Sequence, residues 1–453
     1  VFPPTYIIKK YLITHFDDEF FRRSERAVVD EYKTYQHDNL GVPDPDPKHI
    51  RSLHQLGYLP IEILSLPEGS ITEMGVPHAV ISNTHPDFAW LPQALETLWS
   101  LSYWEASTNA AIAREYRKIM TKWALEAGER DLGFINYQGH DFSMRGLSGL
   151  DSVLGSSMAH LLSFSGTDSV PGIEAAKRYY GAPQNVGGSV AATEHWVMCA
   201  WIASVLNGDG ELEGYRELIT KRYPKSLVSI VSDTRSLWDV LNQIVPALKE
   251  DMLQRPAPVI FRPDSGDPES ILCGDARYAS VHGAPQALGA LRILAQQMGT
   301  VPGGGNFPMI NKAGAIYGDA ITLERCNSIL RRIVTELKLS PFVQVFGIGS
   351  YTYRYNTRDT HGWKLAPAAA IINGDLCPLE KKPVTDDGGK HSYRGLVTVE
   401  FPTHGNIFRR ADVSDNREVS DLYQCAYCPI FRDSMLLIDP KFQEIQARVR
   451  EGL

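Results

Sequence analysis

Between residues 134 and 350 of this 453-residue chain one pattern recurs: an apolar run ends in an acidic or glycine-rich turn. The runs are "FINYQGHD", "LLSFSGTD", "LVSIVSD", "PVIFRPDSG", "AGAIYGD" and "FVQVFGIGS". Short apolar runs bounded by turn residues read as buried strands. Several are followed by apolar residues at every third or fourth position, as in "SLWDVLNQIVPALKEDML" and "TLERCNSILRRIVTEL". Strand, polar turn and helix in alternation predict a parallel β/α fold, because parallel strands need a crossover and a helix supplies it.

In such a fold the loops after the carboxyl ends of the strands converge on one face of a barrel, or on one crevice of an open sheet. Asp141, Asp168, Asp233, Asp264 and Asp319 all stand at such ends. A single aspartate there most often caps the following helix. Five in register, two of them near Arg145 and Arg262, point to a shared site.

Five stretches carry chemistry. "GHDFSMRG" gathers His140, Asp141, Phe142 and Arg145 at one strand end. In "IFRPDSGDP", Pro263 fixes the turn between Arg262, a planar fork suited to phosphate or to an aromatic ligand, and Asp264, a candidate Mg²⁺ ligand; a structural Arg–Asp pair fits equally. "FGIGSYTYRYNTRDT" offers the backbone amides of Gly347 to Ser350 to a phosphate, followed by Arg354 and Arg358, and "IYGDA" adds Gly318 and Asp319 at a close-approach turn. "GGSVAATEHW" holds Ser189, Glu194 and His195. A lone histidine is usually a satisfied core or surface residue, but beside a phosphate site an imidazole is also a nucleophile for a phosphoryl group.

The flanks read differently. Residues 1–130 mix amphipathic helices with β-like pieces such as "IEILSLPEGS" and "HAVISN", and residues 365–453 are turn-rich with β-like "LVTVEF" and "MLLI". The expectation is a second, α+β domain from 1–130 with 365–453, around a domain at 131–364. "VPGGGNF" at 301–307 reads as a loop rather than a linker. The chain opens without Met inside a helical pattern (Tyr6, Ile7, Ile8, Tyr11, Leu12), which reads as a missing N-terminal segment.

A net charge of −8 argues against nucleic acid as the partner. No run approaches the roughly 18 apolar residues of a membrane span, and no signal peptide opens the chain, so a cytoplasmic protein is expected. Six scattered cysteines make no disulfide scaffold, and the lone "CAYC" of Cys425 and Cys428 is half a zinc site without its other half.

In combination and order, "GHDFSMRG", "FSGTDSVPG", "KRYYG", "GSVAATEHW", "VSIVSD", "IFRPDSGDP", "YGDAITLE", "FGIGS" and "NTRDT" resemble the nicotinamide phosphoribosyltransferase family, over about residues 57 to 400. The resemblance implies an irregular β/α barrel plus the second domain, joining nicotinamide to 5-phosphoribosyl 1-pyrophosphate to give nicotinamide mononucleotide and pyrophosphate.

Residue by residue, it implies Phe142 and Arg262 as the two faces of a base sandwich and Asp168 as acceptor of the carboxamide NH₂. A carboxylate there repels the carboxylate of nicotinic acid, hence nicotinamide over nicotinate. Arg145, His140, Ser189, Gly318, Asp319, Gly349, Ser350, Arg358 and Lys364 would bind the phosphoribosyl and phosphate groups, with Lys382 and Lys390 as weaker candidates. Asp233 and Asp264 would hold Mg²⁺ through water and pyrophosphate. His195 matches the family's phosphorylated histidine, oriented by Glu194 and Asp233 and coupling ATP hydrolysis to synthesis. Residues like Arg358 and Lys364 enter the partner's site in the family, implying a homodimer with shared sites. The alternatives are nicotinate phosphoribosyltransferase and a non-catalytic ligand-binding or signalling homologue.

Overall fold

The computed structural model describes the chain except residues 206–208, 386–391, 404 and 412–416, so Lys390 lies outside the described residues. It divides into two compact units, one of residues 1–108, 175–182 and 357–452, the other of 109–174 and 183–356. The helix Glu96–Glu126 runs through the division at 108/109.

The second unit is built on seven parallel strands, numbered β1 to β7 in chain order: Gly139–Asp141, Gly166–Thr167, Ala191–Ala192, Val228–Val231, Val259–Arg262, Ala313–Tyr317 and Gln344–Ile348. Their order in the sheet is β2-β1-β7-β6-β5-β4-β3, every pairing parallel. A parallel bridge between Gly166 and Gly188 joins β2 to the segment leading into β3. There Thr167 N donates to the Gly188 carbonyl (3.0 Å) and Gly188 N to the Ser165 carbonyl (2.9 Å). The curled sheet is an irregular α/β barrel, its end strands β2 and β3 only two residues long.

The central strands are buried along their length, as strands covered by side chains inside and helices outside must be. Val228, Ile230, Val259, Phe261, Ala315 and Phe346 belong to one core with the surrounding helices. The expected helices form: Leu237–Gln254 is helical in successive pieces, opened by Ser236 Oγ accepting from Asp239 N (3.2 Å). Leu323–Arg332 is opened by Thr322 Oγ1 accepting from Arg325 N (3.2 Å) and continues to Leu337.

Two strand readings shrink. In "FINYQGHD", Ile135–Gln138 is a helical turn and only Gly139–Asp141 is strand; in "LLSFSGTD", the helix Leu150–Ser163 takes "LLS" and only Gly166–Thr167 is strand. Apolar runs this short fit helix and strand alike, and packing decides between them. In the glycine-rich 301–307 segment Val301 ends a strand and the rest lies in the loop between the antiparallel strands Thr300–Val301 and Met309–Ile310. It lies against the end of the long helix, where Asn306 N donates to the Ala127 carbonyl (2.8 Å) and a Cβ at Gly305 would fall 2.5 Å from that oxygen.

In the first unit, Ile61–Ser65 lies between Ala79–Asn83 and Cys428–Arg432, both antiparallel to it, and Met435–Leu436 completes the sheet. Residues from both ends of the chain thus share one sheet, through pairs such as Ile63 with Phe431.

Candidate active site

The seven strand ends place the site. β1 ends at Asp141 and leads to Phe142; β2 leads to Asp168; β3 to Glu194 and His195; β4 to Asp233; β5 ends at Arg262 and leads to Asp264; β6 leads to Gly318 and Asp319; β7 to Gly349 and Ser350. These residues, far apart in sequence, gather because parallel strands all end on the same rim.

Phe142 is fixed at its backbone, its N donating to the Ile348 carbonyl (3.0 Å), and its ring lies across two glycines. A Cβ on Gly318 would come within 2.8 Å of Phe142 Cδ2, and one on Gly347 within 2.4 Å. Both strand ends must be glycine for the ring to lie there. The imidazole of His140 stands at 65° to that ring, centroids 5.2 Å apart.

His140 Nε2 is 3.0 Å from Asp168 Oδ1, and Ser189 Oγ donates to the same oxygen at 2.5 Å. Burial pushes the Asp168 carboxyl up, but the hydrogen bonds and charge of His140, the Ser189 hydroxyl and the charge of Arg262 outweigh it, holding the group below the usual carboxylate range. Asp168 is therefore an ionised, acceptor-only group on the rim.

Arg262 is 5% exposed, an unusual burial for a guanidinium. Its Nη2 donates to the Thr193 carbonyl (2.7 Å) and meets Glu194 Oε2 at 3.3 Å, while Nε is buried with no partner among the described residues. Glu194 thus pairs with Arg262, and the carboxylates at His195 are those of Asp233 and Asp264. His195 Nε2 lies 3.7 Å from Asp233 Oδ1 and 3.8 Å from Asp264 Oδ2, and Nδ1 is 3.2 Å from Thr234 Oγ1.

Asp233 Oδ2 accepts from the backbone N of Asp264 (2.9 Å) and from Ser265 Oγ (2.6 Å). Burial pushes the Asp264 carboxyl up; Asp233 adds to the push, and Arg262, His195 and Arg145 oppose it. The charge of exposed Arg145 therefore reaches the Asp264 side of the rim. No group of three or more His, Cys, Asp or Glu side chains among the described residues is arranged to hold a metal. Asp233 Oδ1, buried without a hydrogen-bond partner beside a second carboxylate, nevertheless suits a hard cation that takes one or two carboxylates and completes its shell with water and substrate oxygens.

Asp319 is exposed after β6. Ser350 opens the short helix Ser350–Tyr353 after Gly349, close against Gly146, whose Cβ would fall 2.1 Å from Ser350 Oγ. Arg358 and Lys364 belong to the first unit, both exposed, with Arg358 3.4 Å from Asp359.

Asp141 departs from the series of strand-end carboxylates. It is fully buried, with Oδ1 accepting from Ser143 N (2.9 Å) and Oγ (2.6 Å), and Oδ2 from Ser157 Oγ (2.9 Å). Both its oxygens are thereby committed to structure, Oδ1 to the turn after β1 and Oδ2 to the helix Leu150–Ser163. Thr234, Ser265 and Tyr317 were not singled out from sequence. The first two hold His195 and Asp233, and Tyr317 donates to the Gly266 carbonyl (3.0 Å), fixing the turn that carries Asp264. Their one sequence signal is a hydroxyl beside a strand-end aspartate.

A parallel barrel that brings carboxylates, an imidazole, a buried guanidinium, an aromatic ring and glycine turns to one rim is an enzyme's architecture. A model of the nicotinate phosphoribosyltransferase (NAPRTase) family matches residues 137–426. The nicotinamide phosphoribosyltransferase of Acinetobacter baylyi is 39% identical over 454 residues, covering 98% of this chain and 87% of that protein. That of Mycoplasma pneumoniae is 33% identical over 321 residues, 69% of this chain and 66% of that protein. The chain belongs to the nicotinate phosphoribosyltransferase family and is an enzyme of the phosphoribosyltransferase class, a group of glycosyltransferases. The crystal structure of human nicotinic acid phosphoribosyltransferase aligns with a TM-score of 0.49 at 18% identity, over 96% of this chain and 84% of that one.

Proposed function

We propose that this enzyme is a Mg²⁺-dependent nicotinamide phosphoribosyltransferase of NAD salvage, a cytoplasmic homodimer with shared active sites that couples synthesis to ATP hydrolysis through phospho-His195. The observation that carries the choice of base is Asp168, ionised by His140 and Ser189 and near the Phe142 platform. It accepts an N–H from an amide and repels a carboxylate. The names of the relatives from Acinetobacter baylyi and Mycoplasma pneumoniae agree.

In the reaction, the C1–O bond to pyrophosphate breaks with its electron pair leaving on pyrophosphate, and the pyridine nitrogen lone pair forms the new bond to C1. Positive charge grows on the ribose meanwhile, and the negative field of Asp233, Asp264 and Asp319 opposes that cost. Phe142 and Arg262 hold the ring so that its nitrogen meets C1 in one orientation, replacing an entropic cost that free reactants bear. Gly318, Gly349, Ser350 and Arg145 take the phosphate end, with Arg358 and Lys364 reaching the site of a partner subunit. Mg²⁺, held by Asp233 and Asp264 with water and substrate oxygens, would neutralise charge on the leaving pyrophosphate.

For ATP coupling, the tautomer of His195 whose Nδ1–H donates to Thr234 Oγ1, 3.2 Å away, would leave the Nε2 lone pair available. Nε2 attacks the γ-phosphorus of ATP; the P–N bond forms as the bridging P–O bond breaks, and ADP leaves. Hydrolysis of phospho-His195 restores the imidazole.

The test is chromatography of products from purified protein with Mg²⁺ and 5-phosphoribosyl 1-pyrophosphate, offering nicotinamide or nicotinic acid, with and without ATP. Nicotinamide mononucleotide formed selectively, and faster with ATP, is the expected result. Preference for nicotinic acid would transfer the reading to nicotinate phosphoribosyltransferase, and no product from either base would favour a binding role.

A further inference from the structure

His140 and Ser189 meet one oxygen of Asp168. His140 Nε2 lies 3.0 Å from Oδ1, Ser189 Oγ 2.5 Å from the same atom, and the two donors are 3.3 Å from each other. Oδ2 has no hydrogen-bond partner among the described residues, and the Asp168 side chain is 45% exposed. His140 in turn is 7% exposed and held from two sides. The Phe142 ring meets it edge-on, and Gly166 packs so tightly that a Cβ there would fall 2.7 Å from His140 Nδ1.

A carboxylate is symmetric about its terminal bond, and with no fixed donor either oxygen can face a ligand in several rotations. Two donors on Oδ1 remove that freedom and leave Oδ2 as the one unoccupied acceptor. They also disfavour protonation, since hydrogen bonds donated to a carboxylate stabilise the anion more than the neutral acid. That matters for the choice of base: a neutral Asp168 could donate to the carboxylate of nicotinic acid, whereas the clamped anion only accepts.

We propose that His140 and Ser189 are specificity-determining positioning residues, acting through Asp168 to present Oδ2 to the amide NH₂ of a pyridine carboxamide, rather than ligands of a substrate phosphate. The inference rests on the nicotinamide reading of the site. Each donor completes a hydrogen bond to a charged group, so loss of either weakens amide recognition while the phosphate end of the site keeps its ligands.

Steady-state kinetics of Ser189→Ala, His140→Leu and His140→Gln, with nicotinamide, nicotinic acid and 5-phosphoribosyl 1-pyrophosphate each varied, test this. Ser189→Ala removes one exposed hydroxyl and should fold as the parent does. The expected result is a nicotinamide KM raised about tenfold in Ser189→Ala and in His140→Leu. The kcat and the phosphoribosyl pyrophosphate KM should stay within about threefold of the parent, and the nicotinamide-to-nicotinate ratio of kcat/KM should narrow. Gln offers an N–H near the place of Nε2, so His140→Gln should recover most of the nicotinamide KM.

A raised KM for phosphoribosyl pyrophosphate with nicotinamide KM intact would make these two residues phosphate ligands and overturn the proposal. So would an unaltered nicotinamide KM in Ser189→Ala, or equal losses in all parameters without rescue by Gln, while the parent still prefers nicotinamide. A parent that prefers nicotinic acid would remove the nicotinamide reading itself, and this inference with it.

Discussion

Nε2 of His195 lies 3.7 Å from Oδ1 of Asp233, an oxygen buried without a hydrogen-bond partner among the described residues. A buried acceptor left unpaired costs about 1–3 kcal/mol, so the native state keeps this atom for something that arrives. The other oxygen of the same carboxylate is already committed to Asp264 N and Ser265 Oγ.

If that oxygen serves phospho-His195, His195→Ala should abolish acid-labile ³²P labelling from γ-labelled ATP and remove ATP stimulation, leaving slow basal synthesis. Asp233→Asn should weaken the ATP-stimulated rate about ten- to hundredfold through loss of a carboxylate that would hold Mg²⁺ beside His195. Equal ATP stimulation in His195→Ala and the parent would defeat the coupling.

Gly347 is where the Phe142 platform is most easily broken. A Cβ there would sit 2.4 Å from the ring and 2.8 Å from Gly318 Cα, so the ring must swing away or a strand end must move. Gly347→Ala should displace the ring and raise the nicotinamide KM about three- to tenfold, the worth of one aromatic contact. An unshifted KM in a folded variant would show that the base stacks elsewhere.

Asp168→Asn tests the charge itself. The neutral amide can donate as well as accept, so the preference for nicotinamide over nicotinic acid should narrow about tenfold or more, read as the ratio of kcat/KM values. In the parent, the depressed Asp168 carboxyl keeps its charge as pH falls through the ordinary carboxylate range, so the preference should decline only below it.

The buried His160 gives the barrel a pH-dependent stability. Its Nδ1 is 2.7 Å from Tyr353 OH and its Nε2 3.0 Å from the Gly166 carbonyl, which fits the neutral ring with Nε2–H donating and Nδ1 accepting. Burial pushes its pKa from 6.5 to about 4, against the pull of Asp141. Between those values the unfolded chain holds a proton that the folded chain refuses, so stability falls as pH drops through that window. Melting temperature should decline from about pH 6.5 toward 4, and His160→Gln, without the titrating ring, should flatten that part of the curve. A parent curve no steeper than the variant's would refute the assignment.

The alternation of apolar run, turn and helical spacing already specified the parallel barrel, because a strand buried on both faces must be apolar and a parallel neighbour demands a crossover. It equally brought Asp168, Asp233, Asp264 and Asp319 to one rim, since strand ends in such a fold have one common destination. What β3 contributes was harder to see: Ala191–Ala192 is too short for any periodicity to mark it as a strand. The same shortness let the helices claim "INYQ" and "LLS".

Residue type and chain position determined which groups come to the rim; only the tertiary structure decided what each one does there. Asp141 and Asp168 occupy equivalent strand ends, yet one is consumed by Ser143 and Ser157 while the other, clamped at a single oxygen, remains open to a ligand. His140 and Ser189, 49 positions apart, converge on one atom, and Glu194 turns to Arg262 while Asp264 faces the neighbouring His195. Such outcomes depend on which donors packing brings within about 3 Å of an acceptor, and hydrogen bonds weaken over fractions of an ångström that no sequence spacing encodes.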